Sequence, residues 1–212
     1  MNYLAHIFLA RQSGDSMLGG ILGDFVTPAE GRGFPWAIAR EIELHRHIDS
    51  FTDRHPVVLD AKRRFRSHTR RFAGPLLDLF FDYALSADWQ RYSEQSLRTF
   101  IDAFYMAVRE REAILPPRFR AVAGRIIEHD WLANYAHIEG VALAAGGVSK
   151  RLSRGGERMR EGVEDLRTHE HALLADFREF FPELQAFAEQ RRQQLEARHG
   201  EERHREDRHR SD

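Results

Sequence analysis

The sequence predicts an all-α fold, a single-domain helical bundle, from three observations. Apolar residues recur at spacings of three and four along most of the chain, the period of an amphipathic helix. Runs of alternating β-branched and polar residues bounded by turns, which would indicate strands, do not appear. Prolines stand where a helix can begin, the position that proline tolerates best, at Pro35, Pro56, Pro75, Pro117 and Pro182.

These signals divide the chain into ten predicted helices. They span residues 2–11, 16–26, 35–53, 56–70, 74–90, 94–112, 117–133, 137–146, 157–180 and 182–199. Glycine-rich stretches at 27–34 and 144–156 indicate loops. Apolar residues almost vanish after Leu195, and such a segment cannot bury a face. We therefore predict one domain over residues 1–190 and a charged, frayed or disordered tail over residues 191–212.

Composition limits the class of protein. The 212 residues are 42% hydrophobic, enough for a packed core, and their net charge of −1 provides no overall field for binding nucleic acid. No apolar run reaches the roughly 18 residues that span a bilayer, so we expect no membrane partner. The absence of cysteine fits a cytoplasmic protein. It also leaves His, Asp and Glu as the ligands for any metal.

A dense group of metal-capable side chains lies in LHRHIDSFTDRHP, residues 44–56. His45 and Asp49 are four residues apart on a predicted helix, so they lie on one face and can share a ligand. Asp53 follows four residues later, near the negative end of the helix dipole, where a carboxylate needs a compensating charge. A bound cation would supply that charge, and pairing with a nearby arginine is the alternative.

Polar residues also interrupt apolar runs that should face the core. They are His6 in YLAHIFLA, Asp24 in LGDFV, and Asp78 and Asp82 in LLDLFFDYALSADW. A buried carboxylate is costly unless it is paired or bound to a cation. Asp82 lies deeper in its predicted helix than Asp78, so we prefer Asp82 as a ligand. Taken singly, each such residue is more often a polar group that the core satisfies.

Together these residues predict one metal site, because the facing helices of a bundle can bring ligands to a common centre. The predicted ligands are His6, Asp24, His45, Asp49 and Asp82. A carboxylate-rich site without thiolates suits Mn²⁺, with Mg²⁺ or Fe²⁺ as further options. Such ions activate water and stabilise charge on a phosphoryl group, which indicates phosphate chemistry.

Four ordered motifs within residues 1–90 resemble the acyl carrier protein phosphodiesterase family, also called ACP hydrolases. They are MNYLAH, LGDFV, LHRHIDSFTDRHP and LLDLFFDY…ADW. Weaker agreement continues through WLANY (131–135), VSKRLSR (148–154) and FREFFPEL (177–184). The resemblance implies an all-helical, Mn²⁺-dependent enzyme similar to the HD-type metal phosphohydrolases, with His and Asp ligands.

The same resemblance implies the reaction and the partner. Metal-activated water would hydrolyse the phosphodiester that joins 4′-phosphopantetheine to a serine of holo-acyl carrier protein, in lipid metabolism. The products would be apo-acyl carrier protein and 4′-phosphopantetheine. We expect Asp53 or His55 to carry a proton or to support the ligands, since Pro56 biases His55 away from the helix and towards the cleft. We expect Arg46 to hold a phosphate oxygen.

Carrier proteins are acidic, so a docking surface should be basic. The stretch AKRRFRSHTRR, residues 61–71, has no acidic residue. On the predicted helix Lys62, Arg66 and Arg70 line one face, flanked by Arg63. We predict these four residues as the partner-binding surface, with an ordinary solvated face as the alternative.

Two other functions stay open at this stage. A metal phosphohydrolase of a small nucleotide or other phosphodiester would use the same ligands and charges. A carrier-protein-binding homologue without turnover is the second, because family members commonly have Asp-His where this chain has Asp82 and Tyr83. The sequence leaves the oligomeric state open.

Overall fold

The described helices confirm the predicted all-α, single-domain architecture. The structure is a computed structural model that describes residues 1–211, without the side chains of residues 206 and 209–211. These residues form thirteen α-helices and two short 3₁₀ helices, with no β-strand among them. No helix in the described chain is long and apolar enough to cross a membrane. The likeness to HD-type phosphohydrolases stays a prediction.

Helix bounds follow the chain in order. The α-helices are α1 (Tyr3–Leu9), α2 (Gly14–Leu22), α3 (Pro28–Gly31), α4 (Trp36–Arg54), α5 (Pro56–Arg63), α6 (Ala73–Ala87), α7 (Trp89–Tyr92), α8 (Leu97–Glu110), α9 (Pro117–Glu128), α10 (Trp131–Asn134), α11 (Ile138–Ser149), α12 (Gly156–Thr168) and α13 (Glu170–Ser211). The 3₁₀ helices are Arg70–Phe72 and Glu112–Ile114.

A core rich in phenylalanine holds the helices that carry the polar motifs. α2 packs along α4, α1 packs against α2 and α6, and α13 packs against α4 and α5. At most 1% of each of Phe8, Phe80, Phe81, Phe177 and Phe181 is exposed. Burying a side chain of this size contributes about 1.5–3 kcal/mol, so these contacts fix α1 relative to α6 and α13.

The predicted helix over 56–70 is wrong in its second half, because α5 ends at Arg63. Phe65 is buried with 1% exposed, and the hydroxyl of Thr69 donates to the carbonyl of Arg66 at 3.0 Å. The chain therefore turns into the core instead of continuing along the helix axis. A 3₁₀ helix then leads into α6.

The predicted helix start at Pro182 is also wrong, because this proline lies inside α13. A proline within a helix costs about 3 kcal/mol through its lost hydrogen bond and its clash with the preceding turn. Phe180, Phe181 and Leu184 are fully buried on both sides of it. Their packing keeps the helix continuous, and the break falls earlier, at His169 between α12 and α13.

The predicted domain boundary at residue 190 falls within α13. Arg192 Nε donates to Glu41 of α4 at 2.8 Å, and its Nη2 donates to the carbonyl of Leu9 at 2.6 Å. Only 1% of Leu195 is exposed, and Trp36 donates to Glu196 at 3.0 Å. The frayed or disordered tail stays a prediction, and residue 212 lies outside the described residues.

Candidate metal centre

Two histidines and two aspartates meet where α1, α4 and the end of α2 come together. One ligand atom from each of His6, His45 and Asp49 lies within 4.8 Å of the others. His6 Nε2 is 3.1 Å from Asp49 Oδ1, and His45 Nε2 is 3.2 Å from Asp49 Oδ2. Asp24 Oδ1 approaches His45 Nε2 at 3.3 Å. The structure thus brings four of the five predicted ligands together.

A backbone contact sets the orientation of the His45 ring, and stacking places the His6 ring against it. His45 Nδ1 lies 2.7 Å from the carbonyl oxygen of Gly20, which leaves Nε2 facing the carboxylates. A Cβ added to Gly23 would lie 2.2 Å from the His45 ring, so only glycine lets this ring approach α2 so closely. The rings of His6 and His45 stack with centroids 3.7 Å apart. Metal-binding histidines are commonly held in this way through their second nitrogen.

The contacts perturb the pKa values of the whole cluster. Burial alone would lower the pKa of His45, but hydrogen bonds to Asp24 and Asp49 outweigh it and raise the value to about 9. Burial would raise the pKa of Asp49, yet hydrogen bonds with His45 and His6 hold it well below its ordinary value. Burial and the charge of His45 lower the pKa of His6 to about 4. The two carboxylates therefore favour a positive charge at the centre of the cluster.

A second positive group borders the cluster. The α-ammonium group of Met1 is buried and lies 3.2 Å from Asp49 Oδ1 and 3.0 Å from Asp78 Oδ1. Burial raises the pKa of Asp78, and the ammonium group opposes that change. Sequence reasoning ranked Asp78 below Asp82, but the structure places Asp78 beside Asp49. Its spacing of four residues from Asp82 was the available signal, and it could not tell which of the two faces the cluster.

Asp82 contacts the start of α1 instead of the four other predicted ligands, and its role as a metal ligand stays a prediction. It is fully buried, and its carboxylate accepts hydrogen bonds from the amides of Leu4 at 2.9 Å and Ala5 at 3.0 Å. The side-chain amide of Asn2 donates to the same group at 2.9 Å. Asp82 therefore caps the amino-terminal end of α1 from the middle of α6. Burial raises its pKa to about 7, although these hydrogen bonds oppose the shift.

The three residues proposed for catalysis point to separate partners. Asp53 is 73% exposed and accepts from Lys62 at 2.9 Å. His55 is the residue before α5, 8% exposed, and its Nε2 lies 3.2 Å from Glu183 of α13. Arg46 donates to the carbonyl oxygens of Val26 and Ile42, at 2.8 and 3.2 Å. His55 therefore faces α13, and Arg46 binds the carbonyl oxygen of Val26 in the segment after α2.

The predicted docking residues are engaged within the chain. Lys62 contacts Asp53, Arg63 pairs with Asp60, Arg66 Nε donates to Asp165 at 2.5 Å, and Arg70 donates to the carbonyls of Phe65 and Arg63. Because α5 ends at Arg63, the predicted single helical face of Lys62, Arg66 and Arg70 is wrong. Their role in binding a partner stays a prediction.

The donor set fits a divalent cation. Its two imidazoles are almost fully buried, whereas the side chains of Asp24 and Asp49 are 45% and 39% exposed. The cluster is therefore open to solvent on its carboxylate side and closed on its imidazole side. Mixed imidazole and carboxylate ligands without thiolates are ordinary donors for divalent metal ions, and the preference for Mn²⁺ stays a prediction. His6, Asp24, His45 and Asp49 are the residues that would hold the ion.

Fold and cluster together define an all-helical protein with a buried imidazole–carboxylate centre that opens to solvent. The family described as acyl carrier protein phosphodiesterase matches residues 1–184, and this chain belongs to that family. It is 33% identical over 193 residues to an acyl carrier protein phosphodiesterase from Enterobacter sp. (strain 638), covering 91% of this chain and all of that protein. The protein of the same name from Escherichia coli (strain K12 / DH10B) is 33% identical over 192 residues, covering 89% and 97%. No solved structure matches the chain.

Proposed function

We propose that this protein hydrolyses the phosphodiester between 4′-phosphopantetheine and the carrier serine of holo-acyl carrier protein. The observation that carries the proposal is the convergence of His6, Asp24, His45 and Asp49 in a member of this family. The relatives are named for the same activity and cover 91% and 89% of this chain. The reaction would belong to fatty acid metabolism and take place in the cytoplasm.

The residues of the cluster have distinct parts in the proposed reaction. A divalent cation, Mn²⁺ in preference to Mg²⁺ or Fe²⁺, would when bound supply Lewis-acid charge and lower the pKa of water. Asp24 and Asp49 present carboxylate oxygens on the solvent side, where the phosphodiester can approach. The contact of His45 Nδ1 with Gly20 keeps the imidazole fixed throughout.

The chemical balance assigns the proton transfers. Water adds to phosphorus, the bond to the serine oxygen breaks, and that oxygen takes up a proton to give apo-acyl carrier protein. Asp24 is our preferred proton carrier because its carboxylate is half exposed and adjoins His45: it would accept the proton that the attacking water loses and return it to the serine oxygen. Asp53 and His55, the carriers proposed from sequence, would first have to leave Lys62 and Glu183.

Mass spectrometry of holo-acyl carrier protein tests the proposal. The carrier is incubated with metal-stripped protein, with and without added Mn²⁺. Loss of the phosphopantetheine mass only with metal is the expected result. Binding of the carrier without any loss of mass would favour the non-catalytic homologue. If the carrier neither binds nor changes mass, a small phosphodiester becomes the better substrate, and a screen of nucleotides and synthetic diesters would follow.

A further inference from the structure

We propose that the segment Lys150–Arg158, between the end of α11 and the first turn of α12, is the surface that docks the acidic carrier protein. This inference rests on the proposed function and names where its protein substrate binds. It moves the docking surface away from the basic stretch at 61–71. Four observations support it: cationic side chains without ion pairs, a backbone turn fixed by close contacts, exposed apolar side chains, and packing against the helix that borders the metal centre.

The first observation is that the cations of this segment are not paired with acidic residues of the described chain. Lys150, Arg151, Arg154 and Arg158 are exposed, and Glu157 is the only acidic residue among them. None of these four cations forms an ion pair or a side-chain hydrogen bond with another described residue. The cations at 62, 63 and 66 are instead neutralised by aspartates of this chain. An acidic partner gains more from cations whose charge is not already compensated.

The second observation is that the backbone of the segment is held at its carboxyl end. Gly155 adopts the left-handed conformation, with φ of 80°, and a Cβ there would lie 2.8 Å from the ring of Phe72. A Cβ at Gly156 would lie 2.4 Å from the carbonyl oxygen of Ser149. Arg160 Nη1 donates to Ser149 Oγ at 3.2 Å, which joins α12 to α11. These contacts fix the turn, and the four cationic side chains lie outside it in solvent.

The third observation is exposed apolar surface within the segment and on the helix that leads into it. Leu143 on α11 is 72% exposed and Leu152 within the segment is 37% exposed. Protein interfaces combine an apolar centre with a polar, solvent-accessible rim, and these two leucines could supply apolar contact beside the cations. A partner that is only a small anion would not use these leucines. A carrier protein, with acidic and apolar residues on one surface, would use both groups.

The fourth observation is the position of the segment relative to the metal centre. α11 and α12 both pack on α6, the helix of Asp78 and Asp82. Burial raises the pKa of Tyr3, the charge of Asp24 raises it further, and the charge of Arg151 lowers it. The charges of Asp24 and Arg151 thus both act on the hydroxyl of Tyr3 in α1, the helix that carries His6. A carrier docked here would present its phosphopantetheine arm to the cluster.

Charge reversal tests the surface. The test variant is Arg151→Glu with Arg154→Glu, and the rival-surface variant is Lys62→Glu with Arg63→Glu. Arg203→Glu with Arg208→Glu is the matched control, because both arginines are exposed and lie beyond the residues 1–184 that match the family.

Each variant is compared with wild type by KM and kcat on holo-acyl carrier protein at low ionic strength. Turnover of a small diester, bis(p-nitrophenyl) phosphate, measures the metal centre without docking.

We expect KM for the carrier to rise about 10-fold in the test variant only, the lower range of electrostatic steering, with kcat and diester turnover unchanged. The difference should shrink as salt is added. An unchanged KM, or an equal rise in either of the other variants, would overturn the assignment.

Direct binding separates the failure of this inference from that of the proposed function. Titration with apo-acyl carrier protein needs no turnover, and we expect the test variant alone to bind about 10-fold more weakly. If wild type releases no phosphopantetheine but this difference in binding is found, the docking surface stands and the proposed activity fails. If wild type cleaves the carrier and all variants bind it equally, the activity stands and the surface is wrong. If wild type neither cleaves nor binds it, both are wrong.

Discussion

Asp49 and Asp82 show how one residue type serves two purposes in the same protein. Asp49 lies on the amphipathic helix α4, Asp82 lies on the apolar helix α6, and both are predicted as ligands of one metal. Asp49 has a side chain that is 39% exposed, and its oxygens face two imidazoles and an ammonium group. Asp82 is fully buried, and its oxygens accept hydrogen bonds from backbone amides and from Asn2. The comparison teaches that exposure and partners together indicate whether a carboxylate can bind a ligand: Asp49 is open to solvent and faces cationic or neutral nitrogen groups, whereas Asp82 is enclosed and already accepts hydrogen bonds.

The largest effect that this comparison predicts is on catalysis. Asp49→Ala should reduce the release of phosphopantetheine by more than about 100-fold, because loss of a ligand exceeds the 10–100-fold cost of losing a supporting partner. Metal content, measured by elemental analysis, should fall with it. Circular dichroism should still show a helical protein. Full activity with normal metal content would remove Asp49 from the proposed centre.

Asp82→Ala should affect stability instead. It leaves the amides of Leu4 and Ala5 buried without an acceptor, and each such loss costs about 1–3 kcal/mol. Urea denaturation measures the change in the free energy of unfolding, and metal content should stay normal. The matched change Asp82→Asn keeps one acceptor oxygen and should cost less. A stable Asp82→Ala protein that lacks metal would return Asp82 to the ligand set.

The stability of the metal-free protein should depend on pH through His45, which contacts Asp49 but not Asp82. Its folded-state pKa is raised from the ordinary 6.5 to about 9, so protonated His45 stabilises the fold. This stabilisation should be fully present below pH 6.5 and be lost as pH rises through 9. A metal must displace the same proton, so the apparent affinity for Mn²⁺ should rise over that range.

Two measurements follow this titration. Urea denaturation of metal-free protein between pH 6 and 9.5 gives the stability, and calorimetric titration with Mn²⁺ gives the affinity. His45→Gln should flatten both profiles over this range. Identical slopes in wild type and His45→Gln would assign the pH dependence to another group.

The smallest effect is expected at Tyr83, outside both carboxylate sites. Its hydroxyl donates to Glu170 at the start of α13. Tyr83→Phe should therefore cost about 0.5–1.5 kcal/mol of stability and leave turnover unchanged. Tyr83→His, which introduces the residue that the family resemblance leads us to expect here, should also leave turnover within about twofold of wild type. A large gain in activity in Tyr83→His would support the reading of this chain as a non-catalytic homologue.

Local patterns in the sequence determined the helical class and most of the cluster. Apolar periodicity identifies the helices, because each must bury one face. The spacing of His45 and Asp49 places them on one face of α4, since a helix repeats every 3.6 residues. Polar residues inside the apolar runs of α1 and the end of α2 identified His6 and Asp24. These three signals are local, because each is contained within one helix or its end.

Contacts between distant segments decided what the sequence could not. Asp78 and Asp82 have the same local sequence pattern. Only the packing of α1 on α6 places Asp78 beside the α-ammonium group of Met1 and Asp82 beside the amides of Leu4 and Ala5. The basic stretch at 61–71 and the segment 150–158 are both rich in cations. Only the fold shows which of these cations pair with aspartates of this chain. The physical reason is that pairing and desolvation depend on three-dimensional neighbours, which spacing along one helix does not specify.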